Sequence, residues 1–133
     1  MGPFRRRKQR HLVLGRRGER VAAAVLRELG MDILARNVSA GRDEIDIVAR
    51  HESTLCFVEV KTRRKQGFYS PAKAVGREKQ RHIIRAGKKY LHKLGDPRLV
   101  VRYDVVEIIM PGLFPRVVHV WPGAFTGSFN RRY

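Results

Sequence analysis

The 133-residue chain carries 29 Lys and Arg against 12 Asp and Glu, a formal net charge of +17, with 43% hydrophobic residues and one cysteine. That length suits one domain able to bury most of its apolar surface unaided, and a lone Cys56 excludes an internal disulfide and a multi-cysteine zinc site. The charge points to a polyanionic partner, nucleic acid first and an anionic membrane surface second.

Taken in order, residues 1–14 form a basic flexible arm containing Arg5, Arg6, Arg7, Lys8 and Arg10, readable either as a phosphate-gripping tail or as a solvated leader. Its apolar stretch, 11–14, is too short for a secretory signal, and Arg6 makes Gly2 a poor myristoylation site. No run approaches the roughly 18 apolar residues of a membrane helix, so a cytoplasmic protein with no membrane partner is expected. A single domain over 15–121 and a tail over 122–133 follow.

Residues 16–29 have helical periodicity, with Val21, Ala22, Val25, Leu26 and Leu29 on one face and Gly30 at the stop position. Glu19 lies in the first turn beside Ala22, where a carboxylate suits the positive helix end. Residues 31–37 read as a strand and 39–43 as a loop. Residues 44–50 alternate charged and aliphatic side chains, and 54–61 are rich in β-formers, with Phe57, Glu59 and Lys61 on one face and Cys56, Val58 and Val60 on the other. Cys56 is expected to pack as a small buried hydrophobe. The stretch 62–69 is a basic loop. Arg63, Arg64 and Lys65 suit phosphate contact there, Phe68 suits a core anchor, and Phe68 or Tyr69 would also serve as a platform for an unpaired base.

Ser70 and Pro71 open a helix as N-cap and first helical residue, and Gly76 is placed to break or kink it. Over 77–94, Gln80, Ile83, Ile84, Gly87, Tyr90, Leu91 and Leu94 cover an arc of roughly 120°. Arg77, Arg81, Arg85 and Lys88 form an adjoining stripe, which in so basic a chain is read as tracking a phosphate backbone rather than as a solvated flank. Lys79 lies near the apolar edge. A strand over 99–110 includes Asp104, for which an ion pair with Arg102 is preferred to metal binding, and 116–121 is the last strand. The order α-β-β-β-α-β-β makes an α/β domain with a mixed central sheet flanked by helices.

The central hairpin carries the chemistry. With a turn over 51–54, Arg50 pairs with Leu55, which sets Asp46 opposite Glu59 and Glu44 opposite Lys61. Directly opposed like charges destabilise a sheet. A Mg²⁺ ion shared by the two carboxylates removes that penalty, because it takes oxygen ligands and keeps several waters. A surface salt bridge with Lys61 is the plainer alternative.

Asp46 followed by Glu59-Val60-Lys61 resembles the D…ExK signature of restriction-endonuclease-like nucleases. The ordered set of Gly18-Glu19, Glu44-Ile45-Asp46, Glu59-Val60-Lys61 and Arg102-Tyr103-Asp104, with EKQRHIIRAGKKYL between, resembles the YraN-type family of bacterial proteins, itself similar to archaeal Holliday-junction resolvases. Where that family has Gly before Glu-Ile-Asp, this chain has Asp43.

The resemblance implies a restriction-endonuclease-like core and a nuclease hydrolysing DNA, rather than RNA, with Mg²⁺ or Mn²⁺ and branched DNA among its substrates. Asp46 and Glu59 would bind the metal with the Val60 carbonyl, Glu19 would complete the shell, and Lys61 would orient the attacking water. Glu44 would hold the lysine, and Lys79 and Gln80 would reach the site from the second helix. A homodimer is implied by the likeness to resolvases. The competing reading is a nucleic-acid-binding protein that does not cut, its acids forming a structural ion network; an adaptor at a membrane or with a protein partner stands third.

Overall fold

The computed structural model describes residues 3–65, 70–96 and 98–127, and for residues 3–13 and 71–72 the backbone only. Eight elements follow one another: α1 (Pro3–Glu28), β1 (Asp32–Ala40), β2 (Asp43–His51), β3 (Thr54–Arg63), α2 (Pro71–Ala74), α3 (Arg77–Leu94), β4 (Val100–Ile109) and β5 (Val117–Phe125). The strands form one sheet in the order β1-β2-β3-β4-β5. Neighbours are antiparallel except β3 and β4, which run parallel. Parallel neighbours need a long crossover, and α2 and α3 lie within it. The fold is α/β with a five-stranded mixed sheet, in the expected order except that the second helix is divided.

Alternation along β3 and β4 decides which helix covers which face. Leu55, Phe57, Tyr103 and Val105 pack against Val75, Ile83, Ile84 and Ala86 from the α2–α3 side. Cys56, Val58, Val106 and Ile108 pack against Ala22, Ala23 and Leu26 of α1. Burial of such side chains, at about 25 cal/mol per Å² of apolar surface, is the main drive for this layering. Gly87 lets α3 approach the sheet: a Cβ there would stand 3.0 Å from the Phe57 ring and 3.1 Å from the Tyr103 hydroxyl.

Several expected boundaries move. The helix expected from residue 16 begins at Pro3, so it takes in most of the stretch assigned to the basic arm; the side chains of Arg5 to Arg10 lie outside the described residues. The loop expected over 39–43 is a two-residue turn, Gly41-Arg42, between the paired Ala40 and Asp43, with Gly41 at φ +64°. Strand β3 runs on through Thr62 and Arg63 because β4 pairs with it as far as Arg63↔Ile109. Gly76 breaks the helix outright. Its backbone is extended, and the buried Gln80 side chain donates to the Val75 carbonyl at 2.9 Å. Leu29 and Leu94, placed on apolar helix faces from the sequence, are about half exposed, 54% and 51%; Leu29 follows the end of α1 and Leu94 is the last residue of α3. β5 continues beyond residue 121 to Phe125, whose ring stacks on Tyr103 at 5.3 Å. Phe68 and Tyr69, with the stacking and anchoring roles considered for them, lie outside the described residues, as do Pro97 and residues 128–133.

Gly18 lies close against the sheet, since a Cβ there would run into the Thr62 side chain on β3. Gly18→Ala should therefore lower stability by about 1–2 kcal/mol, overpacking outweighing the gain of up to about 1 kcal/mol in helix propensity. Thr62→Ala in the same chain should restore most of the loss, read by urea denaturation of the single and double variants.

Candidate active site

The β2–β3 hairpin has the register expected of it. Arg50 pairs with Leu55 and Ile47 with Val58, around a turn at Glu52-Ser53 in which Glu52 takes φ +55°. The ladder ends one step short of Asp46 and Glu59. At that step the Asp46 side chain takes over from the β2 backbone, and its Oδ2 accepts the Val60 N–H at 2.8 Å. Glu44 accordingly does not pair with Lys61. It is exposed, and its ladder partner is Ser39 of β1.

Asp46 and Glu59 remain neighbours across this opening. Glu59 shares the sheet face of Phe57 and is only 6% exposed. Burial, and then the Asp46 charge, push its carboxyl up to about 8; Lys79 and Lys61 pull the other way. Lys79, in the first turn of α3, brings Nζ to 3.8 Å from Glu59 Oε1. Glu19 reaches the same neighbourhood from α1. Burial raises its pKa first, then the Asp46 charge, with Asn37 and Arg36 opposing and Glu44 adding a little. Arg36 Nη2 stands 3.9 Å from Glu19. Lys61 is partly exposed beside them, level on β4 with the fully buried Glu107.

Other expected contributors are placed elsewhere. Gln80 is buried and its side chain donates to the Val75 carbonyl at the α2–α3 break at 2.9 Å. Arg85 does not face outward to a phosphate: its guanidinium grips Asp43 through two hydrogen bonds of 2.7 and 2.8 Å. That contact holds the Asp43 carboxyl down at about 2. Arg63 likewise turns inward, with Nε 3.3 Å from Glu107. Arg64, Lys65, Arg77, Arg81 and Lys88 are exposed. Asp104 pairs with Arg102 at 2.8 and 2.9 Å, as expected, and also accepts the Gly123 N–H at 2.9 Å. Cys56 is fully buried, and that burial, with Asp104 beside it, pushes its thiol up to about 11.

Arg36 was not singled out in the sequence, and Asp43 was noted only as a departure from the resembled pattern, not as a partner for Arg85.

Among the described residues no three His, Cys, Asp or Glu side chains are arranged to hold one metal ion, so Glu19 does not close a three-carboxylate set with Asp46 and Glu59. The pair alone still fits a hard divalent cation. Mg²⁺ is commonly held by one or two carboxylates and otherwise by water, and a buried glutamate raised by a second acid marks a local shortage of positive charge.

Residues 18–108 match the model of the Uncharacterised protein family UPF0102. The chain belongs to that family. A UPF0102 protein of Syntrophotalea carbinolica is 49% identical over 114 residues, 86% of this chain and 92% of its own length. One from Chlorobium phaeobacteroides is 45% identical over 119 residues, 89% and 94% of the two chains. One from Nocardia farcinica is 44% identical over 108 residues, 80% and 85%. The span matched by the UPF0102 model contains Glu19, Asp46, Glu59, Lys61 and Lys79 and stops before β5. Among the described residues no helix is long and apolar enough to cross a membrane.

A carboxyl raised on folding binds its proton more tightly in the folded chain. The stability this gives is whole below the ordinary value of 4.5 and is lost as pH rises toward about 8. Without divalent cations the melting temperature should therefore fall between pH 5 and pH 8, by up to about 1.4 kcal/mol of stability per pH unit. Glu59→Gln should flatten that slope and be more stable than the parent at pH 8, followed by circular dichroism across the range.

Proposed function

We propose that this UPF0102 protein is a divalent-metal-dependent nuclease of the cytoplasm that hydrolyses DNA phosphodiester bonds on a restriction-endonuclease-like core. The observation that carries this reading is the pair formed by partly buried Asp46 and buried Glu59 at the open end of the β2–β3 ladder, with Lys61 two residues beyond Glu59 on the same strand face. The element order and the mixed sheet support it, as does the net charge of +17. Branched DNA as substrate and a homodimer as the acting form belong to the same reading and rest on the resemblance to resolvases.

Asp46 and Glu59 would hold Mg²⁺ or Mn²⁺, which when bound supplies Lewis-acid polarisation of the phosphate and a more acidic water. Asp46 is oriented for this by the Val60 N–H, which fixes one of its oxygens and leaves the other to face the pair. Glu19 adds negative charge from α1 at longer range. Lys61, an ammonium beside the pair, would bind the phosphate oxygen on which charge builds as water attacks phosphorus and the opposite P–O bond breaks. Lys79 and Arg36, both weakly held at 3.8 and 3.9 Å, are free to exchange their carboxylates for phosphate.

Those two contacts also favour a second reading. Protein cations already stand by Glu59 and Glu19, which is what a structural ion network in a non-cutting binding module would show.

Cleavage of linear, flapped and four-way DNA with Mg²⁺ or Mn²⁺ separates the two. Asp46→Asn and Lys61→Ala should each reduce cleavage by at least about 100-fold, the scale of losing one stabilising group at a transition state, while DNA affinity measured by anisotropy changes little. Titration calorimetry should detect Mn²⁺ binding to the parent and none to Asp46→Asn. Equal cleavage by parent and variants, or no Mn²⁺ heat at all, would leave the binding module as the answer.

A further inference from the structure

The far end of α3 holds a cluster that the candidate site does not use. Lys88, Lys89, His92 and Lys93 are all exposed. None of them forms an ion pair within 4 Å among the described residues, and the neighbouring acid Asp43 is already gripped by Arg85. They rim two clefts, one of about 340 Å³ against the Gly41 turn and one of about 420 Å³ against Leu99; Lys88 and His92 line both. Lys89 lies against the turn closely enough that a Cβ on Gly41 would meet its ammonium.

This grouping opposes the stability of the helix. Lys89 and Lys93 are like charges four residues apart, a spacing that destabilises a helix. The helix dipole favours a cation in the last turn, which covers His92 and Lys93, but it leaves Lys88 and Lys89 unexplained. A polyanion would offset the repulsion. The cluster also lies on the helix that brings Lys79 to Glu59, with exposed Arg77 and Arg81 at the near end. At 1.5 Å per residue, Lys93 stands about 21 Å along α3 from Lys79. At 3.4 Å per base pair, that is about six base pairs of one strand.

We propose that the end of α3 around Lys88, Lys89 and Lys93 is a second phosphate grip, taking the backbone of a duplex DNA arm about six base pairs from the Asp46–Glu59 site. This rests on the nuclease reading only for where the span begins. The grip sets a minimum arm length: shorter duplexes reach Arg77 and Arg81 alone, and longer ones bridge both ends of the helix.

The test is binding without divalent cation, by fluorescence anisotropy of hairpin DNAs with stems of 4, 8 and 16 base pairs over a range of salt. The parent should bind the 8-base-pair stem at least about tenfold more tightly than the 4-base-pair stem. The variant Lys88→Ala/Lys89→Ala/Lys93→Ala should lose that gain, and its salt slope on the longer stems should fall by two to three, at about 0.9 per phosphate contact. An equally discharged control on the other face of the sheet, Arg16→Ala/Arg17→Ala/Arg20→Ala, should keep the length dependence. The proposal is overturned if the two variants behave alike, if the parent shows no step between 4 and 8 base pairs, or if the α3 variant loses binding only to phosphatidylserine vesicles. Because no cleavage is read, an inactive protein would leave this result standing, and an active one would not rescue it.

Discussion

Two carboxylates meet at the place where β2 stops pairing with β3, and the rest of the site depends on that meeting. Asp46 supplies with its side chain what a strand carbonyl would otherwise supply, the acceptor for Val60 N–H. The exchange keeps a buried donor satisfied while the two strands part, and the parting gives Glu59 room on the face of Phe57. Glu59 is then held at 6% exposure beside a second acid. Burial and repulsion act in the same direction on it, so the pair is a source of instability in the folded chain. Perturbed groups of this kind gather at functional sites more often than elsewhere.

The acids outside the site are handled differently. Asp43 is gripped by Arg85 at 2.7 and 2.8 Å, and Asp104 by Arg102 at 2.8 and 2.9 Å. Both are two-pronged guanidinium–carboxylate contacts, which combine charge with fixed geometry. Glu107 is wholly buried and has Arg63 Nε at 3.3 Å, although among the described residues its oxygens accept no hydrogen bond. Among the described residues, the ion pairs of the site acids are longer, an ammonium 3.8 Å from Glu59 and a guanidinium 3.9 Å from Glu19. Three acids thus have arginine partners built in with them, while Glu19 and Glu59 keep partners that can leave.

The hairpin register was legible in the sequence because a polar four-residue turn and strict alternation on both sides admit one pairing. The two sheet faces were legible for the same reason: Phe57 and Val58 cannot both face α1. The clustering of Asp46 and Glu59 followed from that register, though not the end of the ladder, because a strand end is decided by what the partner strand offers. The ion pairs of Arg63 and Arg85 were not anticipated. A helical wheel or a basic run shows that a cation is present but not whether an acid on another element waits for it, and Asp43 and Glu107 lie far away in sequence. Gln80 was grouped with Lys79 on the strength of the resemblance, and one helical step of about 100° beyond that lysine its side chain meets the Val75 carbonyl. The extent of α1 was hidden by charge, since residues 3–14 have no apolar periodicity.

The placement of charge has a consequence for how ligands would act together. The exterior is strongly positive, with 29 basic residues against 12 acidic ones, and several of those acids lie in or beside the sheet, as Asp43, Asp46, Glu59, Asp104 and Glu107 do. On the nuclease reading, a nucleic acid would be drawn to this surface but would meet the negative charge of Asp46 and Glu59 where its phosphate would react. Phosphate and cation would then each bind there only weakly alone: the phosphate would face two carboxylates, and the cation would compete with Lys79 for Glu59. Together they relieve both conflicts, the cation offsetting the acids and the phosphate drawing Lys79 away. Linkage then requires each to raise the affinity of the other by the same factor. A fixed arginine at Glu59 would remove that coupling, and a half-exposed lysine at 3.8 Å preserves it.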